Sequence, residues 1–343
     1  MLLSDSNRLT ANPSVTQLTT SQNSTLTIHQ KSVLMRLSGD VMGSMKTIQG
    51  FLSDTELPTD ELATLHLSQA NNHMYRFEFK DAHNEIQKWK PSRISVSDYL
   101  LWDQMICASR ALKGTGEFHA AKIALEKCLA TPGLPKHKRC LAVSMFSDVL
   151  CELWAMESDT SFLLRAETLV RSELQHFRER LGPYPKGFRR LLLALLENLV
   201  CQNLTNEAAS VSNELLAIYK SLGELDIIDR LGHVRTLIAQ ARLAHTPTDA
   251  VPRWLDVLRW NRHYNPYEEE VFTCGVVYLA LANRWCELEQ QSIASTYFQR
   301  SAQVLAHKRR QFLIPGLGTY ILCEIRTSCH PLLAISATLI AVA

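Results

Sequence analysis

MICASRALKGTGEFHAAKIALEKCLATPG, residues 105 to 133, reads as two amphipathic helices joined by a short turn. Ala108 and Ala111 share the first helix, Gly114 and Gly116 supply the turn, Ala120 opens the second helix and Pro132 closes the unit. Two antiparallel helices can lie this close in sequence only if small side chains stand where their backbones cross. Proline then stops the second helix, because it lacks an N–H and clashes with the preceding turn.

A helical hairpin cannot bury its apolar face alone, so such a unit predicts copies of itself along the chain. Ala82, Ala120, Ala166, Ala208, Ala250 and Ala294 recur at intervals of 38, 46, 42, 42 and 44 residues. Twelve positions before each stands an apolar residue: Ala70, Ala108, Trp154, Leu196, Ile238 and Ala282. Helical periodicity runs from about 33 to about 325, with no Asn-Gly or Asp-Gly hairpin turn. Stretches rich in Pro, Gly or Asp at 130–138, 180–187, 221–226 and 245–249 mark the joints. The expected fold is all-α, a tetratricopeptide-like right-handed α-superhelix of about six hairpins spanning 33–325. The Ser-, Thr-, Asn- and Gln-rich residues 1–32 read as a disordered arm, and 326–343 as an apolar tail. At thirteen residues, the run PLLAISATLIAVA (331–343) is shorter than the roughly 20 that a membrane-spanning helix needs.

Composition narrows the function classes. Thirty-six basic against 34 acidic residues leave a net charge of +2, and no basic cluster carries the interleaved aromatics of single-strand binders. Nucleic acid is therefore not an expected partner. Nine cysteines are scattered without a CxxC pair, which suits small core residues in a reducing compartment, cytoplasmic or nuclear. There is no GxSxG elbow, no HExxH helix and no GxxxxGK[ST] loop.

Four segments add a resemblance. LGPYPKGFRRLLLALLENLV (181–200), DIIDRLGHVRTLIAQARLAH (226–245), FTCGVVYLALA (272–282) and RRQFLIPGLGTY (309–320) resemble the C-terminal helical-repeat region of fungal STAND-type receptors. In that family a nucleotide-binding module precedes the repeats. The resemblance implies a repeat-only member that senses a ligand or assembles proteins, with no chemistry in the repeats.

The concave face of such a superhelix suits a protein or peptide partner. Lys186, Arg189 and Arg190 in PKGFRR are candidates to meet an anionic group; PKHKR (135–139) and HKRR (307–310) are similar clusters. Trp254, Trp260 and Tyr264 are candidate aromatic anchors, followed by the acidic run Glu268, Glu269 and Glu270. An alternative rests on NEAASVSNE (206–214). Asn206, Ser210 and Glu214 have the spacing of a magnesium-binding triad in class I terpene cyclases, which act on prenyl diphosphates. On a helix they span only about 80° and form one stripe. Such a cyclase also needs a facing aspartate-rich helix, yet the chain has no adjacent Asp pair, and Asp98 and Asp103 are wrongly spaced. The same stretch read as a repeat helix uses Ala208 as its packing contact. The expectation is a non-catalytic binding module without a cofactor, with Mg²⁺ only in the alternative.

Overall fold

The computed structural model describes residues 25–54, 59–76, 78–88, 98–178, 186–264 and 272–309. Among them, fourteen helices form seven hairpins. These are α1 (Thr25–Ser38) with α2 (Val41–Asp54), α3 (Thr59–Tyr75) with α4 (Phe79–Lys88), α5 (Asp98–Thr115) with α6 (Phe118–Ala130), and α7 (Lys136–Glu157) with α8 (Ser161–Arg178). Then come α9 (Lys186–Cys201) with α10 (Thr205–Ser221), α11 (Ile227–Arg242) with α12 (Pro247–Tyr264), and α13 (Phe272–Glu287) with α14 (Gln291–Arg309). The fold is a tetratricopeptide-like right-handed α-superhelix.

The first hairpin corrects the expected count of six. Its helix α1 starts at Thr25, inside the stretch read as a disordered arm. Ser32 and Ser44, both fully buried, meet at their hydroxyls at 2.7 Å. They are twelve residues apart, the spacing of the other crossings, so serine here does what alanine does elsewhere. Each hydroxyl must be satisfied, and Ser44 also donates to the Ser32 carbonyl at 2.9 Å. A search for recurring alanine passes over this pair. The segments 309–320 and 326–343 lie beyond the described residues, apart from Arg309 at the end of α14.

Elsewhere the register holds with one slip. Ala70, Ala82, Ala166, Ala208, Ala250, Ala282 and Ala294 are all buried. In the founding hairpin, however, Ala121 is fully buried and Ala120 is not. Its partner twelve positions back is the buried Ser109, in place of Ala108. The reason is where the helix begins: α6 opens at Phe118, so its fourth residue is Ala121, as Ala82, Ala208, Ala250 and Ala294 are fourth in theirs. Leucine at Ala121 or Ala208 should overpack the crossing and destabilise by about 1–3 kcal/mol. Leucine at Ala120 should stay within about 0.5 kcal/mol of wild type. Equal thermal melts for the leucine variants at 120 and 121 would refute this register.

Two glycines of the opening stretch have separate jobs. A Cβ on Gly114 would lie 2.0 Å from the Phe79 ring, so only glycine lets α5 pass the start of α4. Gly116 has φ +84°, the left-handed turn that ends α5.

Apolar clusters fill the hairpins and the seams between them. One joins α7, α8, α9 and α10 around Leu191, Leu192, Leu196 and Leu215. Another joins α11, α12 and α13 around Trp254, Val257 and Val277. The first helix of each hairpin packs on the first helix of the next through α1, α3, α5, α7, α9 and α11, so these form the inner wall. The winding also brings α1 against α11. The row of six inner helices therefore curves until the last meets the first, with their inward faces on the concave side of the superhelix.

Candidate functional site

The basic clusters at the starts of α7 and α9 sit at the rim of this inner wall, and most of their charge stitches neighbouring repeats together. Lys138 pairs with Asp103 of α5, and Arg139 with Glu173 of α8. Lys186 reaches Asp226 at 2.5 Å, and Arg189 forks onto both oxygens of Asp229 at 2.9 Å. Asp226 also caps α11 by accepting from the Ile228 and Asp229 amides. Burial would raise the Asp226 carboxyl, but Lys186 and these amides hold it below its ordinary value. The cluster at 307–310 lies outside the residues whose side chains are described.

A second polar layer links the inner helices. Lys113 of α5 pairs with Asp148 of α7 at 2.6 Å, and Arg235 of α11 reaches Asp148 at 3.4 Å past the intervening α9. Arg235 also pairs with Glu197 of α9. Burial pushes Asp148 up, yet Lys113 and Arg235 outweigh it and hold the carboxyl below the usual range. Such a span requires a strongly curved row of inner helices, which the α1–α11 contact also reports.

Between these layers, four side chains from four inner helices converge. The guanidinium carbons of Arg36 (α1) and Arg110 (α5) lie over the Tyr75 ring of α3, at 5.7 Å and 5.3 Å from its centroid. Arg190 of α9 is an electrostatic neighbour of both Tyr75 and Arg110. Burial, with Arg110 adding to it, pushes Arg36 and Arg190 below the ordinary guanidinium value. Both remain charged. Arg36 is anchored by the Ser68 carbonyl at 3.2 Å and Asn72 Oδ1 at 2.9 Å. Arg110, Arg190 and Tyr75 are half-buried, and among the described residues neither Arg110 nor Arg190 has a carboxylate partner.

His29 stands on the same inner helix as Arg36 and shares a 2.6 Å hydrogen bond with Ser68. Burial first, then the charge of Arg36, lowers its pKa to about 4. Below its unfolded value of about 6.5 the unfolded chain therefore binds a proton that the folded chain refuses. Stability should fall as pH drops from about 6.5 towards about 4, by about 1–3 kcal/mol after allowing for partial exposure. His29→Gln should flatten that slope in a pH series of urea denaturations. An unchanged slope would show that other groups carry it.

The residues singled out in the sequence separate into different roles. Arg189 and Trp254 leave the set of accessible contacts: Arg189 is bound to Asp229 inside the fold, and Trp254 is 2% exposed in the core. Lys186 is partly exposed but carries Asp226. Trp260, 37% exposed, and Tyr264 do meet, at 5.5 Å between ring centroids. His233 stacks edge-on to Trp260 and hydrogen-bonds the Tyr264 hydroxyl at 2.7 Å. Glu268, Glu269 and Glu270 lie outside the described residues. Asn206 and Ser210 are exposed and Glu214 is half-buried on α10, the outer helix of its hairpin, while Asp103 is already paired with Lys138. Arg190 alone of the predicted cations belongs to the cluster around Tyr75. Arg36, Tyr75 and Arg110 were not legible beforehand, since each is a single residue on a different helix and no linear pattern joins them.

Comparison of the sequence with protein-family models and with curated proteins gives no match. Among solved structures, the chain is similar to a Rap protein complexed with competence and sporulation factor. The TM-score is 0.62 at 11% identity, covering 93% of this chain and 96% of the other. At that identity the likeness concerns the fold, which it matches over nearly the whole length. Among the described residues, no helix is long and apolar enough to cross a membrane.

Proposed function

We propose that this protein is a non-catalytic binding module that holds a peptide, or an extended segment of a protein, in the lumen of its superhelix. The observation that carries this reading is the composition of the inner wall. Apolar faces are consumed between helices, whereas half-buried Tyr75, Arg110 and Arg190 from three inner helices bring cationic and aromatic surface together. A preformed concave site of this kind lowers the ordering cost of an extended ligand. The similarity to a Rap protein solved with its factor supports the same use of the fold. The resemblance to the repeats of fungal STAND receptors extends it to sensing or assembly without chemistry in the repeats. Free cysteines, mostly buried, suit a cytoplasmic or nuclear setting.

Affinity selection of random peptides on the full chain, followed by hydrogen exchange with a selected peptide bound, tests the reading. Protection concentrated on α1, α3, α5, α9 and α11 is the expected result. Protection confined to outer helices, or no selectable peptide, would refute it.

A further inference from the structure

We propose that Arg36, Arg110 and Arg190, gathered around Tyr75 in the lumen, form an oxyanion-binding site that takes a carboxylate or phosphoryl group of the bound peptide. The inference rests on the lumen-binding reading and names the chemistry of its partner.

The first support is a break in the pattern of charge pairing. Across the inner wall Lys113, Lys138, Lys186, Arg189 and Arg235 all reach a carboxylate on another helix. Arg110 and Arg190 reach none among the described residues, although both stand in the same wall. The carboxylates in electrostatic reach of Arg190 are Asp226 and Asp229. Asp229 is forked by Arg189, and Asp226 holds Lys186 and two backbone amides. Neither is available to neutralise the cluster.

The second support is a local surplus of donors. Asn72 accepts from Arg36 at 2.9 Å through its Oδ1, while its buried Nδ2 has no acceptor. Two guanidinium groups over one phenol ring, with a third in electrostatic reach, thus stand beside an amide that lacks an acceptor. Like charges held close in a partly dry space repel, and an anion entering there relieves the repulsion while accepting forked hydrogen bonds. Guanidinium geometry fits the planar pair of oxygens on a carboxylate or two oxygens of a phosphoryl group.

The test uses the full chain, with inorganic phosphate and succinate as probes and sodium chloride at matched ionic strength as the control. Thermal melts and isothermal titration are read for wild type, Arg110→Gln and Arg190→Gln. The expected result has two parts. One or both oxyanions stabilise the wild type beyond chloride, and each glutamine variant weakens that binding by about tenfold or more. Without any anion, the variants melt no lower than wild type, because they relieve like-charge crowding. A response to phosphate alone assigns a phosphoryl ligand group, and a response to succinate alone assigns a carboxylate. No response to either anion, or one undiminished in both variants, would overturn the proposal. So would lower melting of both variants in the absence of anions, which marks the arginines as structural. A selected peptide that protects the inner helices equally in wild type and both variants would remove this site while leaving the lumen reading intact.

Discussion

Replacing Asp229 with alanine should destabilise the protein by about 3–5 kcal/mol, the cost of leaving a buried charge without its partner. Arg189 and Asp229 are 7% and 11% exposed at their side chains, and both oxygens of Asp229 accept from the guanidinium at 2.9 Å. The pair ties the first turn of α9 to the first turn of α11, so it fixes the angle between two adjacent inner helices. Asp226 cannot replace it, because it is already bound to Lys186 and caps α11. Urea denaturation should show a lower midpoint with an unchanged slope, since the surface exposed on unfolding stays the same. The double variant Arg189→Met/Asp229→Ala should lose markedly less than the two single losses combined, because no unpaired charge remains. A loss under about 1 kcal/mol for Asp229→Ala would mean that the pair behaves as a solvated surface bridge.

Trp254→Ala should cost a similar amount, about 3–5 kcal/mol, through the cavity it leaves. Trp254 is 2% exposed and sits among Val234, Ile238, Val257, Leu258 and Val277, so it joins α11, α12 and α13 into one cluster. These neighbours belong to three packed helices and can close the space only in part. Trp260, six residues further along α12, is 37% exposed and should tolerate alanine within about 1 kcal/mol. The contrast separates two tryptophans that look equivalent in the chain. Thermal melts of the two variants decide it, and equal losses would contradict the burial difference. Partner binding is then tested on Trp260, where the small stability change separates a loss of affinity from a loss of fold.

The hairpins were legible because the contact that makes them is short in sequence. Ala208 and Leu196 lie twelve residues apart, and a close helix crossing demands a small side chain whatever surrounds it. Ser32 and Ser44 escaped that reading because a second small residue, with its hydroxyl satisfied locally, serves the same crossing. At Ala120 and Ala121 two adjacent alanines were equally good on paper, and the helix start at Phe118 chose between them. The basic cluster around PKGFRR was visible as charge, but its meaning depended on Asp226 and Asp229, which lie 40 residues downstream of Lys186 and Arg189.

The sequence by itself determined an all-helical chain of repeated hairpins, their approximate register and the lack of recognised catalytic motifs. Only the tertiary structure decided which arginines pair and which do not, that Trp254 is core, and that residues 36, 75, 110 and 190 share one space. The physical reason lies in how a repeat array bends. Each hairpin adds a small rotation set by packing on its neighbour, and the sum of those rotations brings α1 to α11.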